Sequence, residues 1–319
     1  EILGGPMYVI KNGLPKRMLP LAYFFAMAGM IGCLPAFQSN QLIQITGDLA
    51  FSNMENFNIY GGLILAIITG VVVIGGLKRI AEVASYLVPI MGSIYFGAML
   101  IALLFNLDLI LPAFRLIFVD AFSGSAIAGG TFFGVLIYGV RRGAFSNEAG
   151  MGTESLVHGV AKVSNPVKQG LVAMTGPIFD TLIICTATAL MILISGVWET
   201  SSSQGVTLTG EAFSMLLGNF GGFILFTCVI CFGLSTIFTY SYYGASCSRF
   251  LFGKFGMKFY IYLYIFSIFI YSIVPIDIAI NIADGAFAMM AIPTLVSALW
   301  LAPKVMQASE NYFKLVNSK

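Results

Sequence analysis

Residues 139–152 read GVRRGAFSNEAGMG and interrupt an otherwise apolar part of the chain. Two arginines, a serine, an asparagine and a glutamate follow closely on one another there, with four glycines among them. Composition leaves two interpretations open. The stretch is either an ordinary loop at a membrane surface or the point where a membrane helix unwinds, which is tolerated only where the freed backbone groups line a cavity.

The composition of the whole chain indicates a membrane protein. Of its 319 residues, 58% are hydrophobic and 9% are charged, and the mean hydropathy is +0.92. A soluble domain carries about 25% charged residues and could not cover its surface with so few. Because barrel strands are shorter and alternate in polarity, we predict an all-α polytopic protein in a lipid bilayer. The net charge of +2 points to no nucleic-acid partner.

Eight segments are apolar over about 20 residues, the length that a membrane-spanning helix requires. No linker or charge run divides them, so we expect a single membrane domain over residues 1–319. Residues 107–122 suit an amphipathic segment at the outer interface, and residues 198–213 suit a polar external loop. The predicted spans are 18–36, 59–77, 85–105, 122–140, 171–197, 220–247, 259–275 and 277–301.

The basic residues predict the orientation of the chain. With Arg141 and Arg142 counted at the end of the fourth span, all of the 16 lysines and arginines except Arg115 fall on one side. Basic residues concentrate in cytoplasmic loops, so both ends of the chain are predicted to be cytoplasmic. The first residue is glutamate rather than methionine, and we therefore expect the chain to be part of a longer protein.

Polar side chains inside the predicted spans are candidate functional groups because they are costly in a bilayer. Gln38 and Asn40 suit either substrate contact or hydrogen bonds between helices. Asp180 is either a packing anchor or part of an ion path. Ser235 and Thr236 either bond to their own helix or supply neutral oxygens to Na⁺.

The remaining reactive side chains form no catalytic or metal-binding cluster. Cys228 and Cys231 form a C-x-x-C, which we interpret as two small apolar residues on a buried helix. The single histidine, His158, is expected to be structural or solvent-facing. Asp284 is equally open to a functional and a packing role. The sequence thus predicts no enzyme, no metal cluster and no organic cofactor.

Four stretches together resemble the sodium:alanine (alanine or glycine:cation) symporter family. The resemblance runs in order along almost the whole chain, and the S-N-E-A-G and F-D-T-L-I-I-C-T segments are specific to it. The stretches are GGPMYVI at 4–10, GAFSNEAGMG at 143–152, QGLVAMTGPIFDTLIICTATALMIL at 169–193 and FGLSTIFTYSYYG at 232–244.

The resemblance implies a LeuT-like fold built from two inverted five-helix repeats, with substrate and Na⁺ near a broken helix in each repeat. The first span is then similar to core helix 3 and the last to core helix 10, so the first two core helices are lacking and the chain is N-terminally incomplete. Residues 146–150 resemble the broken helix of the second repeat, and Arg141 and Arg142 then lie deeper in the membrane. A break at Gly129 and Gly130 is the alternative.

The resemblance also implies a set of site residues. Ser235 and Thr236 match a Na⁺ site, and Gly129, Gly130 and Asp180 are candidate break or gate positions. The family typically has tryptophan where this chain has Tyr240 and glutamate where it has Ala245, which bears on substrate choice. The implied substrate-binding residues are Gln38, Asn40, Phe145, Ser146, Asn147, Ala149, Gly150 and Tyr240.

The function that the resemblance implies is secondary transport. The protein is expected to couple Na⁺ entry to uptake of a small neutral amino acid, alanine or glycine, across the plasma or inner membrane. Na⁺ is the coupling ion in this scheme. The alternative is a truncated or degenerate member of the family without autonomous transport.

Overall fold

The computed structural model describes residues 3–51, 54–122, 131–203 and 205–318, and within these ranges the chain is helical and has no strand. Up to residue 122 the elements are α1 (Pro6–Gly13), a 3₁₀ turn (Lys16–Met18), α2 (Leu19–Gly32), α3 (Ala36–Ala50), α4 (Phe57–Val73), α5 (Gly76–Leu104) and α6 (Leu107–Ala121). From residue 131 they are α7 (Thr131–Asn147), α8 (Glu154–His158), α9 (Pro166–Pro177), a π-helical segment (Ile178–Cys185), α10 (Thr186–Ser195), α11 (Val197–Thr200), α12 (Val206–Leu217), α13 (Asn219–Ile273) and α14 (Ile276–Asn317).

Five helical runs in the described ranges are long and apolar enough to cross a membrane, which supports a polytopic membrane protein. Two shorter apolar helices, α4 and α12, accompany them. The long runs are Lys16–Asp48, Gly76–Leu104, Pro166–Ser195, Phe220–Ile273 and Ile276–Asn317.

The first run extends well beyond the predicted span 18–36. Helix α2 ends at Gly32, and α3 begins at Ala36 immediately after Pro35. Proline lacks a backbone N–H and disfavours helical geometry at the residue before it, so it separates the two helices without ending the run. Gln38 and Asn40 consequently lie in the first turns of a second helix rather than at the end of a span.

Helix α13 contains the predicted span 220–247 and the predicted span 259–275 up to Ile273. The two parts are separated at Gly253, where φ is 68° and ψ is −158°, a conformation open to glycine. Helix α13 is central to the fold, since it packs against α2, α3, α4, α5 and α12. Helix α14 packs mainly on α2 and α3, which places α13 and α14 around the same pair of helices.

The predicted external loop 198–213 is partly helical. Helix α12 begins at Val206 and buries Ala212 and Phe213, and Phe213 belongs to an apolar cluster with Tyr95 and Leu225. The serines and threonines around residue 203 gave this segment a loop-like composition. Composition alone did not reveal that its second half presents an apolar face to its neighbours.

Helix α4 shows how the fold is adapted to lipid. Its inner face includes Gly62, whose missing Cβ lets Ser272 approach, because a Cβ there would meet that side chain at 2.7 Å. Its outer face is equally apolar, with Leu63 52% exposed and Ile67 59% exposed. Small residues at helix contacts and apolar residues facing outwards are the pattern expected of a helix in a bilayer.

Candidate functional site

Helix α7 ends inside the stretch that interrupts the apolar sequence. Its last helical residue is Asn147, and the next residue, Glu148, has a φ of 55°. Gly150 and Gly152 also have positive φ, at 82° and 89°. The Asn147 side chain accepts a hydrogen bond of 2.9 Å from the backbone N–H of Ala149, which stabilises the turn away from the helix.

A cavity of about 920 Å³ opens beside this helix end. Side chains from α3, α7, the π-helical segment, α13 and the start of α14 line it. Six of the residues implied by the sequence meet there, and they come from four of these elements. They are Gln38, Phe145, Ser146, Asp180, Thr236 and Tyr240.

Aromatic rings form one side of the site. Phe145 makes edge-to-face contacts with Phe37 at 5.6 Å and with Phe287 at 5.4 Å between ring centroids. Tyr240 packs edge-on to Phe287 at 6.4 Å. These contacts join α3, α7, α13 and α14, because each ring comes from a different helix.

Arg142 and Asp284 form an ion pair between α7 and α14. The Arg142 guanidinium also lies 5.4 Å from the ring centroid of Phe145 and 5.5 Å from that of Tyr138. Both partners of the ion pair are about one third exposed or less, at 33% and 27% of their side chains. Arg142 therefore lies within the helical assembly and lines the cavity, whereas Arg141 is exposed.

The π-helical segment carries the second group of polar contacts. The Ser146 hydroxyl donates a hydrogen bond to the Asp180 carboxylate, and Asn147 donates one of 3.0 Å to the Thr181 hydroxyl. Thr181 also donates to Asp180, at 3.1 Å. A π-helical turn follows Pro177 here, and such turns often occur at functional sites. These bonds fix the position of Asp180 relative to the end of α7.

Glu148 is held by two hydroxyl groups. Its carboxylate accepts hydrogen bonds from Thr153 and from Tyr240, which belong to the segment before α8 and to α13. Glu148 lines the cavity beside Tyr240. Farther along, outside the apolar runs, burial raises the pKa of the Glu154 carboxyl on α8.

The sodium:alanine symporter family model matches residues 1–319. The chain belongs to the sodium:alanine symporter family. Membership supports a multi-pass membrane transporter, and it agrees with the resemblance carried by residues 143–152 and 232–244.

Several members of the family are similar to this chain over almost its whole length. An uncharacterized transporter of Bacillus subtilis is 36% identical over 98% of the chain and 67% of the relative. The sodium/alanine symporter AgcS of Methanococcus maripaludis is 35% identical over 98% of the chain and 70% of the relative. The probable sodium/glutamine symporter GlnT of Bacillus subtilis is 32% identical over 97% of the chain and 64% of the relative. The chain spans about two thirds of the length of these relatives.

The two hydroxyls that the family resemblance assigns to Na⁺ differ in position. Thr236 lines the cavity. Ser235 is 6% exposed, and its hydroxyl donates to the Phe232 carbonyl at 2.9 Å. The Ser235 carbonyl in turn accepts from Thr239 at 2.9 Å. Only Thr236 of the pair therefore reaches the cavity in this structure.

Asn40 does not line the main cavity. Its side chain donates to the carbonyls of Tyr271 and Val274, at 3.3 and 2.6 Å, and lines a second cavity of about 280 Å³. It thereby satisfies carbonyl groups at the C-terminal end of α13, which have no partner within the helix. Gln38, two residues earlier, faces the main cavity.

The other implied positions are also placed apart from the cavity or lie outside the described ranges. Ala149 is exposed, and Gly150 lies beside Leu295. Asn147 bonds to Thr181 without lining the cavity. The alternative break at 129–130 falls on residues outside those that the structure describes.

Glu148 and Arg142 line the cavity but were not among the implied site residues. Glu148 is in the middle of the specific S-N-E-A-G segment, and an acidic residue within an apolar region is a functional signal in itself. Arg142 was interpreted only in terms of membrane orientation. The signal that could have found the Arg142–Asp284 pair is that an unpaired charge is costly in an apolar environment, which favours a partner of opposite charge.

The single histidine and the first cysteine of the C-x-x-C each contact a neighbouring polar group of the fold. The His158 ring nitrogen Nδ1 lies 2.6 Å from the Gln169 amide nitrogen. Cys228 is buried, with its thiol 3.8 Å from the Met91 carbonyl. Within the described ranges no group of three or more histidine, cysteine and carboxylate side chains is arranged to hold a metal ion.

Proposed function

We propose that the protein is a symporter that couples Na⁺ entry to uptake of a small neutral amino acid, alanine or glycine, into the cell. The observation that carries this proposal is the cavity at the end of α7, where Gln38, Phe145, Ser146 and Tyr240 meet. An interrupted membrane helix with polar groups around it is the arrangement that transporters use to hold substrate and ion together. The family relationship supports the same conclusion.

The end of α7 supplies groups suited to the polar parts of an amino acid. The last carbonyls of a helix have no partner within it and carry a partial negative charge, which favours a cation such as an ammonium group or Na⁺. Gln38 offers an amide that both donates and accepts hydrogen bonds. Phe145 and Tyr240 provide an apolar wall suited to a short side chain. We assign these residues, with Ser146, to substrate binding.

The Na⁺ assignment rests on oxygen ligands. Hard cations prefer oxygen, and Thr236, which carries a hydroxyl, lines the cavity while Ser235 lies directly before it on α13. The Ser146–Asp180 pair supplies further oxygens in the same cavity. We propose that Ser235 and Thr236 contribute to a Na⁺ site, and that Asp180 contributes either to it or to a second ion position.

The membrane arrangement is part of the proposal. A LeuT-like inverted-repeat fold is supported by the interruption of α7 after Asn147 and by the π-helical segment that faces it.

Cytoplasmic chain ends in the plasma or inner membrane are supported by the placement of the basic residues. The electrical part of the driving force on Na⁺ is about 2.3 kcal/mol per charge per 100 mV. Orientation is tested with Lys11→Cys and Arg115→Cys, each made as the single cysteine of the protein. Intact cells are treated with a thiol reagent that does not cross the membrane, and only the cysteine at position 115 is expected to react.

A second candidate is a family member that does not transport autonomously. The observation that favours it is that the chain spans about two thirds of the length of the relatives it matches. Ligands contributed by other segments would then be needed to complete the ion site.

The experiment is uptake of tritiated alanine into proteoliposomes, with an inward Na⁺ gradient or with choline in its place. The full-length protein is compared with residues 1–319. Na⁺-dependent uptake by both supports the symporter, and uptake by the full-length form alone supports the second candidate for this chain. Na⁺-independent uptake, or none by either form, contradicts the proposed function.

A further inference from the structure

Glu148 is the first residue beyond α7, and its backbone conformation is one that residues with a Cβ rarely adopt. Its φ is 55°, in the left-handed region that favours glycine. Conformations of this kind persist where surrounding contacts hold them, and they concentrate at ligand-binding sites. The side chain of Glu148 lines the cavity.

The contacts of Glu148 are neutral. One carboxylate oxygen accepts from the Thr153 hydroxyl and the other from the Tyr240 hydroxyl. Arg142, the basic residue of the cavity lining, pairs with the Asp284 carboxylate rather than with Glu148. Among the described residues, neither of the ion pairs Lys78–Glu82 and Arg142–Asp284 includes Glu148.

The groups around Glu148 add further negative charge instead of compensating that of its carboxylate. The C-terminal end of α7 adds a partial negative charge next to it. The Asp180 carboxylate lines the same cavity and is bonded to Ser146, two residues before Glu148. This end of the cavity therefore favours a cation.

The hydrogen-bonding capacity of Glu148 is only partly used. An ionised carboxylate can accept about four hydrogen bonds, and here it accepts two. The two existing bonds fix both oxygens in place. The remaining lone pairs are free for a donor that enters the cavity.

We propose that Glu148 binds the ammonium group of the transported amino acid, an inference that rests on the proposed function. An ammonium group supplies the missing positive charge and three N–H donors, and every α-amino acid carries one. The hydroxyl groups of Thr153 and Tyr240 orient the carboxylate, in addition to the contact of the Tyr240 ring with the substrate side chain. A Na⁺ ion is the other cation that this end of the cavity could hold, and the experiment separates the two.

The test compares L-alanine with L-lactate, in which a hydroxyl replaces the ammonium group. Displacement of tritiated alanine by each compound is measured on the full-length protein at saturating Na⁺. We expect Glu148→Gln to reduce the preference for alanine over lactate by about 10-fold to 100-fold, because a neutral amide no longer favours the cation. A general loss of packing would weaken both compounds alike.

Three further variants keep the test specific. Glu82→Gln makes the same chemical change on α5, where Glu82 is exposed, pairs with Lys78 and lies outside the cavity lining, so it should leave the preference unchanged. Glu148→Asp retains the charge and should retain most of the preference. Tyr240→Phe removes one bond to Glu148 but no charge, so it should weaken alanine binding while preserving the preference for alanine over lactate.

Two results would overturn the inference. An unchanged preference in Glu148→Gln means that the carboxylate does not bind the ammonium group. Complete recovery of the preference when Na⁺ is raised tenfold means that Glu148 is a Na⁺ ligand instead. A protein without Na⁺-dependent alanine binding before any substitution contradicts the proposed function, which is a separate failure.

Discussion

The Ser146 hydroxyl donates a hydrogen bond to the Asp180 carboxylate, and this bond joins the end of α7 to the π-helical segment. The neighbouring bond from Asn147 to Thr181, at 3.0 Å, links the same two elements. Both Ser146 and Asp180 line the main cavity. A ligand at this place therefore contacts two elements at once, and its binding is coupled to their relative position.

Asp180→Asn should raise the Na⁺ concentration required for half-maximal uptake by about tenfold or more, because it removes a carboxylate that faces the cavity. Ser146→Ala removes one hydrogen bond but no charge and should have the smaller effect. Na⁺ activation curves of alanine uptake measure both. Identical curves for Asp180→Asn and the unaltered protein would exclude an ion-binding role for this residue.

Thr236→Val should weaken Na⁺ activation more than Ser235→Ala does. Thr236 lines the cavity, whereas the Ser235 hydroxyl bonds to its own helix. Valine keeps the branched shape of threonine, so the comparison isolates the hydroxyl group. The same uptake curves serve as the measurement, and a larger effect from Ser235→Ala would contradict the placement of these two side chains.

Tyr240→Trp should shift the preference towards smaller amino acids, because the larger ring fills part of the cavity that Tyr240 lines. Competition of glycine, alanine and serine with tritiated alanine measures the shift. Tyr60→Trp is the control, since Tyr60 is 53% exposed on the outer part of α4. An unchanged competition profile in Tyr240→Trp would show that this residue does not limit the substrate volume.

Gly152→Ala should destabilise the protein by about 1–3 kcal/mol, because alanine is strained at a φ of 89°. A Cβ there would also lie 2.5 Å from a Pro6 carbon and 2.6 Å from the Thr294 hydroxyl. Thermal unfolding in detergent measures the loss. Gly97→Ala on α5 is the control, since a Cβ there meets nothing within 4 Å and alanine favours the helix. Equal unfolding temperatures for the two variants would contradict the packing around Gly152.

The sequence predicted an all-helical polytopic membrane protein, and six of the residues that the family resemblance implied lie in the cavity lining. Low charge and long apolar segments are properties of the whole chain, so the fold class that they predict does not depend on the individual helix boundaries. The polar stretch at 139–152 identified the place where α7 ends, and Gln38, Ser146 and Tyr240 meet there. The positions of individual side chains depend on helix rotation, which composition does not specify.

Gln38 and Asn40 illustrate this limit. Residues two apart on a helix point about 200° away from each other, so a pair that forms one motif in the sequence faces two different places in the structure. Glu148 illustrates another. Its neighbours Thr153 and Tyr240 lie 5 and 92 residues away. The sequence could indicate that a buried carboxylate needs partners but not which hydroxyls would supply them.

The most direct test of Na⁺–amino acid symport is sodium movement driven by the amino acid. Proteoliposomes containing the full-length protein hold equal Na⁺ on both sides with a trace of radioactive sodium outside, and alanine is then added outside alone. Symport predicts a transient accumulation of radioactive sodium inside that depends on the alanine gradient and is reduced in Asp180→Asn at the same Na⁺ concentration. Alanine uptake without any accompanying sodium accumulation would contradict the coupling that is the centre of this account.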